Sequence, residues 1–339
     1  MTEMTGIEAS TLHRLLEIGK INDDGLYKKS QDYQGAPIDA DIVIVDEMSM
    51  VDMFLMNYLL QAIYKGTKLV LVGDSNQLPS VGPGNVLKDI IQSERLTTIT
   101  LNKIFRQAAK SKIILNSHKV NEGISIFSKD EQNENEELLE DFFFINETNK
   151  LKVLENIISL CTGRLEKYGN YTFAQNIQVI SPTKKGELGT KELNKSLQQA
   201  INPESEEKNE RKYIDSVFRE GDRIMQIKNN YDIYWEKREP TLEMGKGVFN
   251  GEYGTILNID EVEKKVKIKF DDDKLVWYNF DELEQIEHSY CITVHKAQRK
   301  RVRCSYYANS TGCANVTYSY IAIHCNDKSK KITYFNWKS

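Results

Sequence analysis

Cysteine and proline are scarce in this 339-residue chain, at five and six. Five is an odd number and no paired spacing links them, so the sequence gives neither a disulfide framework nor a zinc site. Long apolar runs are also missing. Stretches such as Ile42–Val45 and Leu69–Val72 fall far short of the ~18 residues of a membrane span, and the opening MTEMTGIEAS has no signal-peptide pattern. The expectation is a cytoplasmic chain with no membrane segment. A general basic coat is absent too, since the net charge is −5. That argues against a uniformly basic binder but leaves room for a local nucleic-acid groove.

What is present fits a globular protein. The chain is 40% hydrophobic and 28% charged, and its length suggests two or three domains with ample core. The averages conceal a break. Residues 299–339 contain no Leu and no Glu, but hold three of the five cysteines (Cys304, Cys313 and Cys325). Eight basic residues stand there against one acid, Asp327, giving +7, while the preceding 298 residues carry −12.

Residues 10–20 read as a helix start capped by Ser10 or Thr11. Ile42–Val45 is apolar throughout, the pattern of a central parallel strand buried on both faces, and a helix over Met53–Tyr64 follows. The logic repeats with the strand Lys68–Val72, a Gly/Asp/Asn/Pro loop and another helix. Alternation of this kind predicts a doubly wound α/β sheet, whose ligands bind at the carboxyl ends of the strands. Residues 108–123 and Leu151–Tyr168 read as helices, Ser128–Asp141 as an acidic solvated loop, and NIQVI as a strand leading through SPTKKGELGT to a helix. Pro203–Lys212 reads as a charged linker. From Ser216 to Glu287 short alternating strands predict a small β-barrel module, after which SYCITVHKAQ returns to a buried strand and a loop.

Several residues at these strand ends suit phosphate and nucleic-acid chemistry. Asp46 can hold Mg²⁺ beside nucleotide phosphates while Glu47 orients or deprotonates water. Taken alone, they are also an ordinary acidic strand end. Gln77 in GDSNQLPSVGPG can sense a terminal phosphate, and Arg106 in NKIFRQ can reach one bidentately. The plainer readings are a Gly/Pro loop and a surface ion pair. Ser181, Thr183, Lys184 and Lys185 at one strand end suit a nucleic-acid backbone, as do Thr293, His295, Lys296 and Gln298 at another. Solvated loops are the plainer alternative.

In order, TLHRLL, VIVDEMSMVD, LVLVGDSNQLPSVGPGNVL, LNKIFRQ, VISPTKKGELGTKELN, GDRIMQIKNNYD, VFNGEYGTI and ITVHKAQ resemble the RecD-like DNA helicases of superfamily 1. The resemblance runs from about residue 5 to residue 298, with a longer loop at Ile233–Gly247. It implies two RecA-like P-loop NTPase domains, the first incomplete, with an SH3-like β-barrel module inserted in the second. The implied boundaries are 1–105 for the first motor domain, 106–215 and 288–298 for the second, 216–287 for the module and 299–339 for an atypical tail. It also implies ATP and Mg²⁺ as cofactors, 5′-to-3′ movement on single-stranded DNA, action at a duplex junction, and roles in DNA repair and recombination. Carried across, Asp46 coordinates Mg²⁺, Glu47 activates water, and Gln77 and Arg106 contact the γ-phosphate. Thr11, His13, Thr183, Lys184, Thr293, His295 and Lys296 lie near DNA or couple it to ATP. Lys228, Asn229, Asn230 and Tyr231 are candidate strand contacts in the module.

Two departures stand beside this likeness. No segment matches the Walker A loop G-x-x-x-x-G-K-[ST], which in the family precedes TLHRLL, so the chain is expected to begin downstream of it. After Gln298 the family's final arginine motif is absent. Permitted codons for RKRVRCSYYAN, read one base later, can give GKEFDVVIMPI. Those for STGCANVTYSYIAIHCNDKSKK can give LQGAPMLLTRILLYTAMTRAKK, the missing ending. One extra nucleotide near Gln298–Arg299 accounts for the tail; a genuine basic, aromatic arm is the alternative. The tail is then expected not to pack, and the chain alone not to hydrolyse ATP. The competing functions are a non-catalytic single-strand DNA-binding protein and a non-helicase nucleotide hydrolase.

Overall fold

The computed structural model describes residues 6, 9–16, 18, 37–101, 111–124, 141–147, 149–169, 173, 177–238 and 241–297. Of 144, 146, 168–169, 304–310 and 319–325 it describes only the backbone. Two compact units are distinct, one built from described residues of 1–105 with 118–128, the other from those of 106–117 with 129–333.

The first unit opens with one turn, α1 (Leu12–Leu15), capped by Thr11, whose hydroxyl accepts from the Arg14 N–H. Strands β1 (Ile42–Val45) and β2 (Lys68–Leu71) pair in parallel, from Ile42 opposite Lys68 to Val45 opposite Leu71. Between them lies α2 (Met53–Ala62), capped by the Asp52 carboxylate on the Leu55 N–H. After β2 comes α3 (Val86–Gln92). The core gathers Val43, Val45, Met48, Leu55, Leu59 and Leu87. The expectation that β1 is buried on both faces fails. Val45 is 3% exposed but Ile44 is 58% exposed, and Val70 and Val72 of the neighbouring segment are exposed too. Among the described residues this sheet has two strands, and its core covers one face only.

Helix α4 (Lys112–Asn121) falls within the predicted 108–123. The second unit holds a five-stranded sheet in the order β14-β4-β15-β16-β3, with β3 at Phe142–Glu147, β4 at Ile177–Ser181 and β14 at Cys291–Thr293. Strand β4 is buried at every position, as its uninterrupted apolar run requires. The predicted helix Leu151–Tyr168 is divided into α5 (Lys150–Ser159), a π turn at Leu160–Arg164 and α6 (Leu165–Gly169). Together with α7 (Thr190–Ile201) it supplies Val153, Ile157, Leu193 and Leu197 to the core beneath the sheet.

The β-rich region forms a seven-stranded antiparallel sheet in the order β13-β7-β10-β11-β12-β8-β9. Its strands are β7 (Arg223–Gln226), β8 (Asn230–Lys237), β9 (Glu243–Val248), β10 (Tyr253–Asp260), β11 (Lys265–Phe270), β12 (Leu275–Asn279) and β13 (Ile286–His288). Alternation is plain in β11, where Val266, Ile268 and Phe270 are buried between lysines. Three sequence readings are corrected. The charged linker ends at β5 (Glu210–Tyr213), which forms a hairpin with β6 (Ser216–Arg219). The longer loop at Ile233–Gly247 is largely the β8–β9 hairpin, with Tyr234 opposite Lys246. The loop after β14 begins as a helical turn, α8 (Val294–Ala297).

The tail also departs from expectation. The backbones of β15 (Cys304–Ser310) and β16 (Ser319–Cys325) lie in the five-stranded sheet, β15 parallel to β4 and β16 antiparallel to β3. Runs such as SYY and YIAI carry the β-propensity for this whatever their origin.

A fully buried carboxylate, Asp222, ties the seven-stranded sheet to the five-stranded one. It accepts from Gln198 Nε2 at 2.6 Å, Asn202 Nδ2 at 2.8 Å, the Arg219 N–H at 2.8 Å and the Tyr290 hydroxyl at 2.9 Å. His288 Nε2 stands 3.0 Å away.

Candidate nucleotide and nucleic-acid sites

In the first unit, Asp46 and Glu47 follow directly on β1. Glu47 sits in the left-handed region, at φ 55°, and its N–H donates to Asp46 Oδ1 at 2.9 Å. The kink turns the chain into the Met48–Met50 turn, where the Met48 N–H is held by the Val72 carbonyl at 2.9 Å. Asp46 is exposed and Glu47 half-buried. One carboxylate oxygen of Asp46 is engaged locally, and Oδ2 is the hard oxygen donor left to face a cation.

The loop after β2 is stitched to the one after β1. The Met53 N–H donates to the Pro83 carbonyl at 2.9 Å. A Cβ on Gly82 would lie 1.9 Å from Asp52 Oδ2, so only glycine fits beside the α2 cap. Gln77 is half-buried, with its N–H on the Asp74 carbonyl at 3.2 Å. Asp46, Glu47 and Gln77 therefore stand at the carboxyl ends of two paired parallel strands, the ligand edge of such sheets. Arg106 and Gln298 lie outside the described residues. Thr11 is used as the cap of α1, and His13 is exposed on that turn.

In the second unit, the SPTKKGELGT loop follows β4 and the ITVHKAQ segment follows β14. These strands are parallel neighbours with Thr293 opposite Ser181. The buried Ser181 hydroxyl donates to the Leu188 carbonyl at 2.6 Å and fixes the loop base. The Thr183 hydroxyl donates to the Lys185 carbonyl at 3.1 Å, and the Thr190 N–H to the Thr183 carbonyl at 3.0 Å. Lys184 and Lys185 are left exposed on the rim. Across the strand pair, Thr293 Oγ1 accepts from the Lys296 N–H at 3.4 Å, and His295 is exposed. Lys184, Thr293 and Lys296 line one shallow depression with Thr190, Asn194 and Glu287.

The module's motif is mostly occupied by its own fold. Asn230 donates to Gln285 Oε1 at 2.9 Å and accepts from the N–H groups of Asp232 and Ile233 at 3.1 Å. Asn229 accepts from the Asn250 N–H at 2.9 Å. Tyr231 is exposed and makes an edge contact with Phe249. Lys228 pairs with Glu284 at 2.7 Å, and Lys296 with Glu287 at 2.9 Å. Sequence reasoning missed these glutamates, Asp222 and the buried Ser49 hydroxyl, which has no hydrogen-bond partner among the described residues. Only Asp222 left a cue, an acid set between Gly221 and the start of the strand Arg223–Gln226.

No helix among the described residues is long and apolar enough to cross a membrane, and no group of three or more His, Cys, Asp or Glu side chains among them could hold a metal. Two family models match, an AAA domain over residues 1–137 and an ATP-dependent RecD-like DNA helicase SH3 domain over residues 193–270. The ATP-dependent RecD2 DNA helicase of Deinococcus radiodurans is 31% identical over 296 residues, covering 87% of this chain and 35% of that protein. The RecBCD enzyme subunit RecD of Buchnera aphidicola subsp. Schizaphis graminum is 27% identical over 85% of this chain and 52% of its own length. The chain thus spans about a third to a half of these relatives. A crystal structure of a Bacteroides Pif1 helicase with ADP-AlF3 and ssDNA aligns with a TM-score of 0.46 at 15% identity, over 90% of this chain and 74% of that one.

Proposed function

The chain belongs to the RecD-like DNA helicase family, and from that premise we propose that it is part of an ATP-dependent helicase that moves 5′-to-3′ on single-stranded DNA and opens duplex at a junction. The observation that carries the DNA side is the pairing of β4 with β14. It sets the Lys184 loop and the Thr293–Lys296 turn side by side at one sheet edge. Hydroxyls and ammonium groups placed there bind phosphates without reading bases.

On the nucleotide side, Asp46 fits Mg²⁺ by its hard oxygen and its place at a parallel strand end. Bound Mg²⁺ would supply charge neutralisation at the phosphates. Glu47, fixed by its left-handed backbone, is the group that orients or deprotonates water, and Gln77 and Arg106 are the γ-phosphate contacts. No Walker A sequence is present in the 339 residues, so this chain alone binds nucleotide poorly and does not turn it over. The direct test measures binding to an oligonucleotide without nucleotide, and ATP hydrolysis with and without DNA. Salt-sensitive binding with no hydrolysis is expected. DNA-stimulated hydrolysis that vanishes in Glu47→Gln would overturn the inactivity; no binding at low salt would overturn the DNA side.

The same reading takes residues 299–339 as one base out of frame. What supports it is the +1 reading itself and its spacing. VVIMPI falls on Cys304–Asn309, within β15, and RILLYTA on Ser319–Cys325, which is β16. The gene sequence tests this: a +1 frame lacking a Y-T-A-x-T-[RK]-A-K-like segment rules it out.

A further inference from the structure

Two of the lysines assigned to DNA are already paired with carboxylates, and both partners come from the short acidic stretch that closes the module. Glu284 holds Lys228 at 2.7 Å and Glu287 holds Lys296 at 2.9 Å. The remaining lysines of the motor motif differ. Lys184 and Lys185 form no ion pair with a carboxylate among the described residues. A carboxylate oxygen at hydrogen-bond distance from an ammonium occupies the place a phosphate oxygen would take. The Lys228–Glu284 pair is open at both ends, and in the other pair Lys296 is 25% and Glu287 48% exposed, so both carboxylates reach solvent and neither is locked by burial.

We propose that Glu284 and Glu287 are built-in competitors of the nucleic-acid backbone, setting the affinity of the chain by occupying Lys228 and Lys296 until phosphate displaces them. The inference rests on the DNA-binding reading above. It adds a mechanism: strand engagement is an exchange of partners on these two lysines, which lowers affinity and eases release. An exposed ion pair is weak, so each exchange costs about two- to fivefold in affinity. Salt screens the carboxylate competitor as it screens the phosphate contact, so the penalty shrinks as ionic strength rises.

The experiment measures binding of the full chain to a fluorescent oligothymidine across a salt series. Glu287→Gln and Glu284→Gln should each tighten binding about two- to fivefold at low salt, with a steeper salt dependence than the wild type. Glu263→Gln is the charge control. Its glutamate pairs with Lys265 elsewhere on the module, and it should give no comparable gain. In a Lys296→Met background the gain from Glu287→Gln should disappear. A gain that persists there, or equals that of Glu263→Gln, reduces the effect to general repulsion and overturns the proposal. Unchanged affinity in both variants, with the wild type binding, overturns it as well. A wild type that does not bind at low salt instead removes the reading on which it rests.

Discussion

Tyr290 donates its hydroxyl to Asp222 at 2.9 Å, joining the strand that leads into the Thr293–Lys296 motif to the first turn of the β module. With Gln198 of α7 and Asn202, which caps the end of that helix, on the same carboxylate, three segments distant in sequence share one buried acceptor. Removing the carboxylate takes an acceptor from every one of these donors at once, and only Gln198 and Asn202 keep a second, the Val217 and Glu220 carbonyls. Asp222→Ala should cost about 3–5 kcal/mol, and Tyr290→Phe, which deletes one donor, about 1–2 kcal/mol. Urea unfolding followed by Trp235 and Trp277 fluorescence measures both. Equal losses would mean that the carboxylate is not the hub.

Burial gives this unit an alkaline weakness. Desolvation raises the Tyr278 and Tyr290 phenols above their ordinary range, and nearby carboxylates push the same way. Burial also pushes the Cys161 thiol up to about 12 and raises Cys291. All four are acids that the folded chain holds in neutral form. Above the ordinary value the unfolded chain has released the proton and the folded chain has not, so folding weakens as pH rises. The stability present below about pH 9 should decline from there toward pH 12, first through the thiols and then through the phenols. Urea midpoints at pH 8, 9, 10 and 11 give the slope. Cys161→Ala should flatten its first part.

The sequence announced the parts that local rules govern. Ile177–Ser181 is an unbroken apolar run, and it became the strand buried at every position. Glu47 and Lys184 were legible because acids and lysines after such runs fall at carboxyl ends. What escaped was set by partners distant in the chain. Ile44 has the composition of a central-strand residue, but its exposure depends on what covers the second face, which no local pattern encodes. Asn230 reads as a nucleic-acid contact, and only the fold reveals Gln285 on its amide. The pairings of Lys228 and Lys296 depend likewise on where the Phe280–Gln285 turn brings Glu284 and where β13 brings Glu287.

The two faces of β1 should respond oppositely to substitution. Val45 is 3% exposed in the core with Leu55 and Leu87, whereas Ile44 is 58% exposed. Val45→Ala should cost about 2 kcal/mol or more through transfer and cavity terms, while Ile44→Thr should stay within about 0.5 kcal/mol. The exposed face also presents Ile42, Val70 and Val72, an apolar patch that favours association. Ile44→Lys should therefore raise the soluble fraction at high concentration. Differential scanning fluorimetry and light scattering separate the two effects. A large loss of stability in Ile44→Thr would show that this face is covered in solution.

Gly189 tests whether the Lys184 loop must be held in its present shape. A Cβ there would lie 2.6 Å from the backbone carbonyl of Lys185, and a backbone atom cannot step aside as a side-chain tip can. The same turn is closed by the Gly189 N–H on the Gly186 carbonyl and by the Thr190 N–H on Thr183. Gly189→Ala should therefore displace Thr183 and Lys184 while leaving the β module's core, built from residues such as Ile268 and Tyr278, untouched. Affinity for an oligonucleotide should fall about as far as in Lys184→Ala, and combining the two should add little, since both remove the same contact. Module integrity is read from Trp277 fluorescence in the same samples. A Gly189→Ala chain that binds like the wild type would show that this loop does not position the strand.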